Sequence, residues 1–303
     1  MTCILLFGAT GQVGWELNRS LQPLGEVIAL SRKDVDFSHP EGLRDIVRQS
    51  RADIIVNAVA YTAVDRAESE EALAHIVNAD AVAVLAEEAK RLNALLVHYS
   101  TDYVFDGTKP EPYIEEDQPN PINAYGRTKF AGEQKIQAIG CRYLILRTSW
   151  VYSWRGQNFV RTILQLAQQR DQLNIVADQF GTPTSARLIA DVTSAILSEI
   201  RHEESSEAQQ PIGIYHLTSL NHTSWHGFAQ AILNAAQGSL LKSTKVANLA
   251  AIASEQYPQP APRPKNSRLN CDAIKSRFGI HLPDWEIGLR LCLAEIAQGD
   301  DTH

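Results

Sequence analysis

No apolar run in the chain is long enough to span a membrane. The run at residues 3–7 is too short for a signal-peptide core, and no basic segment precedes it. Cysteine is sparse. Cys3, Cys141, Cys271 and Cys292 are scattered, without a Cys-x-x-Cys pair or a Cys/His spacing, so neither a zinc knuckle nor a disulfide framework is expected. Positive charge is also short: 28 Lys and Arg face 35 Asp and Glu, for a net charge of −7. That balance argues against nucleic acid or an anionic membrane as the main partner. No internal repeat is visible. What remains is ordinary globular composition, 44% hydrophobic and 21% charged over 303 residues, enough for a sizeable core and a smaller second lobe. A cytoplasmic enzyme or binding protein is expected.

Short apolar runs at residues 2–7, 26–30, 53–58, 94–100 and 142–147 read as strands. Helical patterns at 15–24, 40–50, 72–92 and 124–138 alternate with them. This alternation predicts an α/β fold, a doubly wound parallel sheet covered on both faces, with ligands at the carboxyl ends of its strands. The second half is less regular. Helices are expected at 158–169, 185–200, 225–236, 271–278 and 285–297, and strands at 173–177 and 214–217. A charged loop is expected at 202–211, and four prolines exclude helix over 257–265. The expected division is a nucleotide-binding domain at 1–152, joined by parts of 185–217, and a substrate lobe formed mainly by 153–303.

Two motifs carry chemistry. Gly8-x-x-Gly11-x-x-Gly14 follows the first strand and opens a helix. Glycines there let the backbone turn tightly and approach a pyrophosphate, which the helix N-terminus then binds with unpaired N–H groups. Tyr125 and Lys129 are four residues apart in a helical stretch, hence on one face. That sets a phenol beside an ammonium, as a tyrosine exchanging protons near neutral pH requires. The second strand ends at Leu30-Ser31-Arg32-Lys33 with no carboxylate to hold a ribose 2′-hydroxyl. Arg32, with Ser31 as a donor, favours the 2′-phosphate of NADPH, and NADH remains open as an alternative. Asp36 and Phe37 are candidates to approach the adenine.

The glycine spacing, the Tyr-x-x-x-Lys pair and Ser100-Thr101-Asp102-Tyr103-Val104-Phe105 after the fourth strand resemble the extended short-chain dehydrogenase/reductase superfamily, which implies a Rossmann-type fold. The resemblance narrows on Asn123-x-Tyr125-Gly126-x-Thr128-Lys129, Arg147-Thr148-Ser149-Trp150-Val151-Tyr152, Asp178-Gln179-Phe180-Gly181-Thr182-Pro183-Thr184 and Arg263-Pro264-x-Asn266-Ser267-x-Leu269. Together these are similar to the dTDP-4-dehydrorhamnose reductase family. The resemblance implies reduction of the 4-keto group of a dTDP-6-deoxy-L-hexulose to dTDP-L-rhamnose, a polysaccharide precursor. It implies Tyr125 as proton donor, Lys129 tuning the phenol and binding the nicotinamide ribose, and Thr101 holding the carbonyl oxygen. It further implies Gly11, Gln12 and Val13 at the cofactor pyrophosphate, and Ala60, Tyr61 and Tyr99 along the cofactor. Tyr61 stands where the family often has histidine. Thr101, Asp102, Tyr125 and Trp150 would meet the sugar nucleotide. Arg263 and Asn266, on a rigid proline-rich loop, would suit its diphosphate.

Some members of the family bind Mg²⁺ through glutamates at a homodimer interface. Glu16 and Glu295 match two of these, but Arg187 stands at the third position, and a guanidinium cannot ligate a cation. Arg187 is instead expected to pair with those carboxylates, so Mg²⁺ is a doubtful expectation, and a homodimer stays open with its metal bridge weakened or absent. Two alternatives stay open. One is a reductase or epimerase of another nucleotide sugar. The other is a non-catalytic regulatory subunit on the same fold, resembling the partner of methionine adenosyltransferase.

Overall fold

The computed structural model describes residues 1–203, 213–238, 240–241, 246 and 248–300. The chain begins with β1 (Cys3–Phe7), α1 (Gln12–Ser20) and β2 (Glu26–Leu30). Then come α2 (Leu43–Ser50), β3 (Ile54–Asn57), α3 (Val64–Ala67), α4 (Glu71–His75) and α5 (Ala81–Leu92). β4 (Leu95–Thr101), α6 (Ala124–Ile139) and β5 (Arg142–Thr148) complete the first half. The second half contains β6 (Val151–Tyr152), α7 (Phe159–Gln169), β7 (Gln172–Val176), β8 (Phe180–Gly181), β9 (Thr184–Ser185) and α8 (Ala186–Glu203). It ends with β10 (Gly213–His216), β11 (Thr223–Ser224), α9 (Trp225–Ala236), β12 (Asn248–Ile252), α10 (Asp272–Phe278) and α11 (Trp285–Asp300).

Six strands form one parallel sheet in the order β10-β5-β4-β3-β1-β2. The chain leaves β1 for β2 on one side and returns as β3 on the other. This reversal opens a crevice at the carboxyl end of β1, where α/β folds bind ligands. The strands are apolar on both faces, as a doubly covered sheet requires: Ile4, Leu6, Val56 and Val97 enter one core, and Leu5, Phe7, Ile55 and Leu96 the other. β10 pairs with β5 although it lies far along the chain. α8 packs on α1, with the Ser194 hydroxyl donating to the Ser20 carbonyl at 2.7 Å. Residues 185–217 thus contribute described elements to the central sheet layer. A third core, centred on Phe228, Ile232, Trp285 and Leu289, joins α7, α9 and α11.

Two expectations change. The predicted helix at 72–92 is interrupted by a π-helical turn, Ile76–Asp80. Asn78 lies within it, and its amide serves partners outside the helix. Its Oδ1 accepts from the Tyr61 N–H at 2.8 Å, and its Nδ2 donates to the Thr128 hydroxyl at 3.0 Å. Such turns recur where a helix must aim a side chain at a functional region. The predicted helix at 15–24 instead starts at Gln12 and ends at Ser20, because Pro23 opens a separate 3₁₀ turn, Gln22–Leu24. Of the expected loop at 202–211, residues 204–211 lie outside the described residues, and α8 runs through Glu203.

Candidate active site

The strand ends converge on a cleft of ≈ 640 Å³ at the carboxyl edge of the sheet. Its lining includes Gly11, Gln12 and Val13 after β1, Ala60 after β3, Tyr99, Thr101 and Asp102 at the end of β4, Tyr125 and Lys129 on α6, and Trp150 after β5. These residues span almost 140 positions of sequence, and the parallel register gathers them. A second cavity of ≈ 580 Å³ adjoins, sharing Tyr103 and Trp225 with the first and reaching Arg263.

The glycine turn is shaped as its spacing predicts. Gly8 has φ +82°, a left-handed conformation that glycine adopts without a Cβ penalty. A Cβ on Gly14 would stand 2.0 Å from the Gly8 carbonyl oxygen, so only glycine lets α1 pack this close to the turn. Gly11 caps α1 with no side-chain hydrogen bond, and no acidic residue occupies the first turn. The N-terminal N–H groups therefore have no competing side-chain acceptor. That uncapped terminus, opening onto the cleft, fits a diphosphate. The buried hydroxyls of Ser100 and Thr148, which also line the cleft, have no hydrogen-bond partner among the described residues and suit a bound ligand.

α6 is anchored at its start. Asn123 Oδ1 accepts from the Gly126 N–H at 2.8 Å, and Glu68 accepts from the Ala124 N–H at 2.7 Å. This fixes Tyr125 at the cleft floor, its ring edge-on to Tyr103 with centroids 5.8 Å apart. The tuning expected of Lys129 differs from what is found. Burial pushes the Tyr125 phenol up to about 12, the Thr101 hydroxyl opposes that rise, and the Asp102 carboxylate adds to it. The Lys129 amine is engaged elsewhere. Its Nζ donates to the Tyr99 carbonyl at 2.6 Å and lies 3.2 Å from His98 Nε2. Burial lowers Lys129 to about 8 against the opposing charge of Glu133. The amine is thus turned toward β4 rather than onto the phenol.

Asp102 is 3% exposed and accepts from the Thr101 hydroxyl at 2.9 Å and the Ser149 hydroxyl at 3.1 Å. Burial outweighs these bonds and raises its carboxyl to about 6. Trp150 holds φ +46°, a strained conformation for a bulky side chain. Gly181 makes room for it: a Cβ there would stand 2.4 Å from Trp150 Cε2.

Other expected residues fall outside the main cleft. Arg263 lines the adjoining cavity, where its fork is taken by Asp65 through two bonds of 2.8 and 2.9 Å. Asn266 is a scaffold residue: it donates to the Lys109 and Glu111 carbonyls at 2.6 and 2.8 Å, tying down the loop after β4. Tyr61 donates its hydroxyl to Glu70 at 2.5 Å. Phe37 is buried edge-on against Phe7, with centroids 5.4 Å apart, so its ring is core. Asp36 accepts from the N–H and hydroxyl of Ser38. Arg32 is exposed beyond β2, but the Ser31 hydroxyl donates to Asp34 at 2.7 Å. Asp34 thus sets a carboxylate just past the strand end, which reading only the strand's last residues overlooks. Thr10 and Thr62, within the expected strand-end stretches 8–14 and 58–62, also line the cleft, as do Gly156 and Trp225, which were not expected. Gly156 lies a few residues past the motif after β5, whereas Trp225 carries no local signal.

The residues at the expected metal position do not fit a divalent cation. Arg187 forms an ion pair with Glu295, and its Nε lies 3.4 Å from Glu16 Oε2. The Trp154 indole N–H donates to the other Glu16 oxygen at 3.1 Å. The guanidinium occupies the place of a cation. No cluster of three or more His, Cys, Asp or Glu suited to a metal exists among the described residues.

Residues 1–298 match the family described as the RmlD substrate binding domain. The chain is 50% identical to a dTDP-4-dehydrorhamnose reductase of Burkholderia thailandensis, over 97% of this chain and 98% of that one. It is 44% identical to one of Escherichia coli strain K12, over 97% of each. A crystal structure of the Bacillus anthracis dTDP-4-dehydrorhamnose reductase in complex with NADP superposes with a TM-score of 0.86 at 33% identity, covering 97% of this chain and all of that one. A UDP-glucose 4-epimerase of Thermotoga maritima shares the fold alone, at 17% identity and a TM-score of 0.78. The chain belongs to the RmlD family, that of the dTDP-4-dehydrorhamnose reductases.

Proposed function

We propose that this protein is an NADP(H)-dependent oxidoreductase that reduces the 4-keto group of dTDP-4-dehydro-6-deoxy-L-mannose to dTDP-L-rhamnose. The observation that carries this reading is the convergence of Thr101, Tyr125 and Lys129 beside an uncapped, glycine-shaped helix terminus in one cleft. The relatives' activity and the NADP bound by one of them support it.

Residues 1–152 with parts of 185–217 would hold the cofactor, and the remaining second half would hold the sugar nucleotide. Gly8 and Gly14 would shape the diphosphate cradle, Gly11, Gln12 and Val13 would offer N–H groups to it, and Ala60 and Tyr99 would flank the cofactor. When bound, NADPH supplies the hydride. Tyr125 would give its phenolic proton to the sugar 4-oxygen as general acid. Thr101 would hold that oxygen by a hydrogen bond as negative charge develops on it. Asp102 would accept from a sugar hydroxyl, and Trp150 would cover the sugar face. The adjoining cavity, with Arg263 at its wall, would take the nucleotide diphosphate. Arg32 would lie near the adenosine ribose, where the Asp34 carboxylate competes with a 2′-phosphate and leaves room for NADH. Four free cysteines, and the absence of a helix long and apolar enough to cross a membrane among the described residues, support a cytoplasmic setting.

The test is NADPH oxidation with the dTDP-keto sugar, for the parent and Tyr125→Phe. Turnover is expected to fall by about 10²- to 10⁴-fold in the variant while NADPH binding is retained. No turnover by the parent, or equal turnover by the variant, overturns the reading. UDP- and GDP-keto sugars in the same assay separate this substrate from other nucleotide sugars.

A further inference from the structure

Beneath the cleft, Lys129 ends a buried chain of polar side chains whose other two members, Asn57 and His98, the reaction as described does not use. Asn57 at the end of β3 is 1% exposed, His98 on β4 is fully buried, and Lys129 on α6 is 1% exposed. Asn57 Nδ2 stands 3.2 Å from His98 Nδ1, and His98 Nε2 stands 3.2 Å from Lys129 Nζ. The orientation of the Asn57 amide is fixed independently. Its Oδ1 accepts from the Val59 N–H at 3.0 Å, and a backbone N–H can only donate. Asn57 Nδ2 is therefore the donor toward His98, and His98 Nδ1 must be the bare, accepting nitrogen. A neutral imidazole carries one proton, which this places on Nε2, facing Lys129.

That arrangement sets a donor against the amine. If Lys129 is an ammonium, His98 Nε2–H and the ammonium are two donors in contact, and a buried ring N–H goes unpaired. If Lys129 is a neutral amine, its lone pair accepts from His98 while one of its N–H bonds serves the Tyr99 carbonyl, and every contact is satisfied. We propose that His98, held by Asn57 in its Nε2–H tautomer, is a positioning residue that favours the neutral amine of Lys129 and so lowers its proton affinity. The inference rests on the reading of Lys129 as the basic partner of Tyr125.

The role fits the proton balance of the reduction. The substrate carbonyl carbon gains the hydride and its oxygen gains the Tyr125 proton, leaving a phenolate. The Lys129 ammonium gives up a proton that reaches the phenolate through solvent in the cleft, because Nζ itself faces the Tyr99 carbonyl, and the lone pair left on Nζ accepts from His98 Nε2–H. Water then restores the proton to Lys129. The acid that reloads Tyr125 therefore needs a proton affinity not far above neutrality, and burial acts in the same direction. Other charges facing the pair are accounted for. Glu133, on α6 one turn beyond Lys129, is neutralised by Arg147 of β5 through a buried pair at 2.7 Å. Tyr99 of β4 offers its carbonyl, and its hydroxyl is bonded to Thr193 of α8. Asp102 lies past the end of β4 with its own hydroxyl partners. The His98 ring itself is held neutral, by burial first and then by Lys129.

The tautomer is read directly by ¹⁵N NMR of His98 in cofactor-free protein, independently of any activity. The Nε2–H form is expected, and the Nδ1–H form or a charged ring overturns the proposal. Asn57→Asp keeps an acceptor for Val59 but replaces the amide donor by a carboxylate. It should switch His98 to Nδ1–H, leave Nε2 to accept from the ammonium, and move the alkaline limb of the kcat/KM profile up by a pH unit or more. A limb that stays put, or one that moves while His98 keeps Nε2–H so that added charge alone explains it, overturns the proposal. Loss of turnover in the parent refutes the proposed reaction and leaves the tautomer measurement standing as a separate result.

Discussion

The indole of Trp150 lies flat on that of Trp225, with ring centroids 3.5 Å apart and planes 8° from parallel. The pair joins the end of the central sheet to the start of α9, so the cleft wall is made jointly by elements distant in the chain. Trp150 sits at φ +46°, and such strain, of order 1–3 kcal/mol, persists only where the surroundings over-determine it. Trp225 on one side and the absent Cβ of Gly181 on the other supply that determination.

Gly181→Ala should therefore displace Trp150 while the sheet stays intact. KM for the sugar nucleotide is expected to rise about 10-fold, equivalent to about 1.4 kcal/mol of lost binding. NADPH affinity should change little, because the glycine turn lies on the other side of the cleft. Steady-state kinetics alongside a cofactor titration checks both. An unchanged KM would mean that the indole does not contact the sugar.

The Asp102 carboxyl gives a pH-dependent stability prediction. Its folded value is raised from 3.8 to about 6 by burial, so the folded protein holds this proton more tightly than the unfolded chain. The favourable contribution is complete below about pH 4 and is lost as pH rises through about 6, above which burying the anion is a net cost. Asp102→Asn cannot ionise. It should match the parent near pH 4 and be more stable at pH 7 by up to about 3 kcal/mol. Urea unfolding at the two pH values measures the difference. Activity should fall in the same variant, since the amide cannot replace the anion as an acceptor for a sugar hydroxyl.

The sheet was legible because each of its first five strands is a short apolar run closed by a helix, and that alternation has few solutions. The Gly8–Gly14 turn and the Tyr125/Lys129 pair were legible because their geometry is local: three glycines in seven residues, and one helical turn. What the sequence hid is non-local. Asn57 and His98 meet only through the β3–β4 register, and Trp225 reaches Trp150 only after the chain has crossed to the second lobe. Lys129 was expected to face the phenol because an i,i+4 pair shares a helix face. Its long side chain instead follows the nearest buried acceptor, the Tyr99 carbonyl. Arg187 was the reverse case: charge alone predicted its pairing with glutamates, and the ion pair to Glu295 is found.

That ion pair makes the absence of a metal dependence testable. Mg²⁺ or EDTA should leave the Tm and oligomeric state of the parent unchanged, because Arg187 already neutralises Glu16 and Glu295. Arg187→Glu would bring three carboxylates together, and without a cation their repulsion should lower Tm by several degrees. Millimolar Mg²⁺ should restore it, since a cation that binds only the folded state stabilises by mass action. Thermal scans with and without the metal decide. A parent that is stabilised by Mg²⁺ would show that the guanidinium moves aside.

The grip of Asp65 on Arg263 bears on how tightly the sugar nucleotide is held. Asp65 takes both ends of the guanidinium fork, and Arg263 gives a further bond to the Ala261 carbonyl at 2.7 Å. A diphosphate arriving in the adjoining cavity must share that fork or displace the carboxylate. Asp65 is 40% exposed at its side chain and Arg263 only 13%, so the acid is the partner able to yield to solvent. Removing the competition by Asp65→Asn should lower KM for the sugar nucleotide a few-fold without changing kcat, a uniform-binding effect. Arg263→Lys keeps the charge but loses the bidentate fork, and should raise KM about 10-fold or more, also with little change in kcat. The two shifts together would place Arg263 on the diphosphate. Should both variants leave KM where it is, Arg263 serves only to fasten the proline-rich loop to α3.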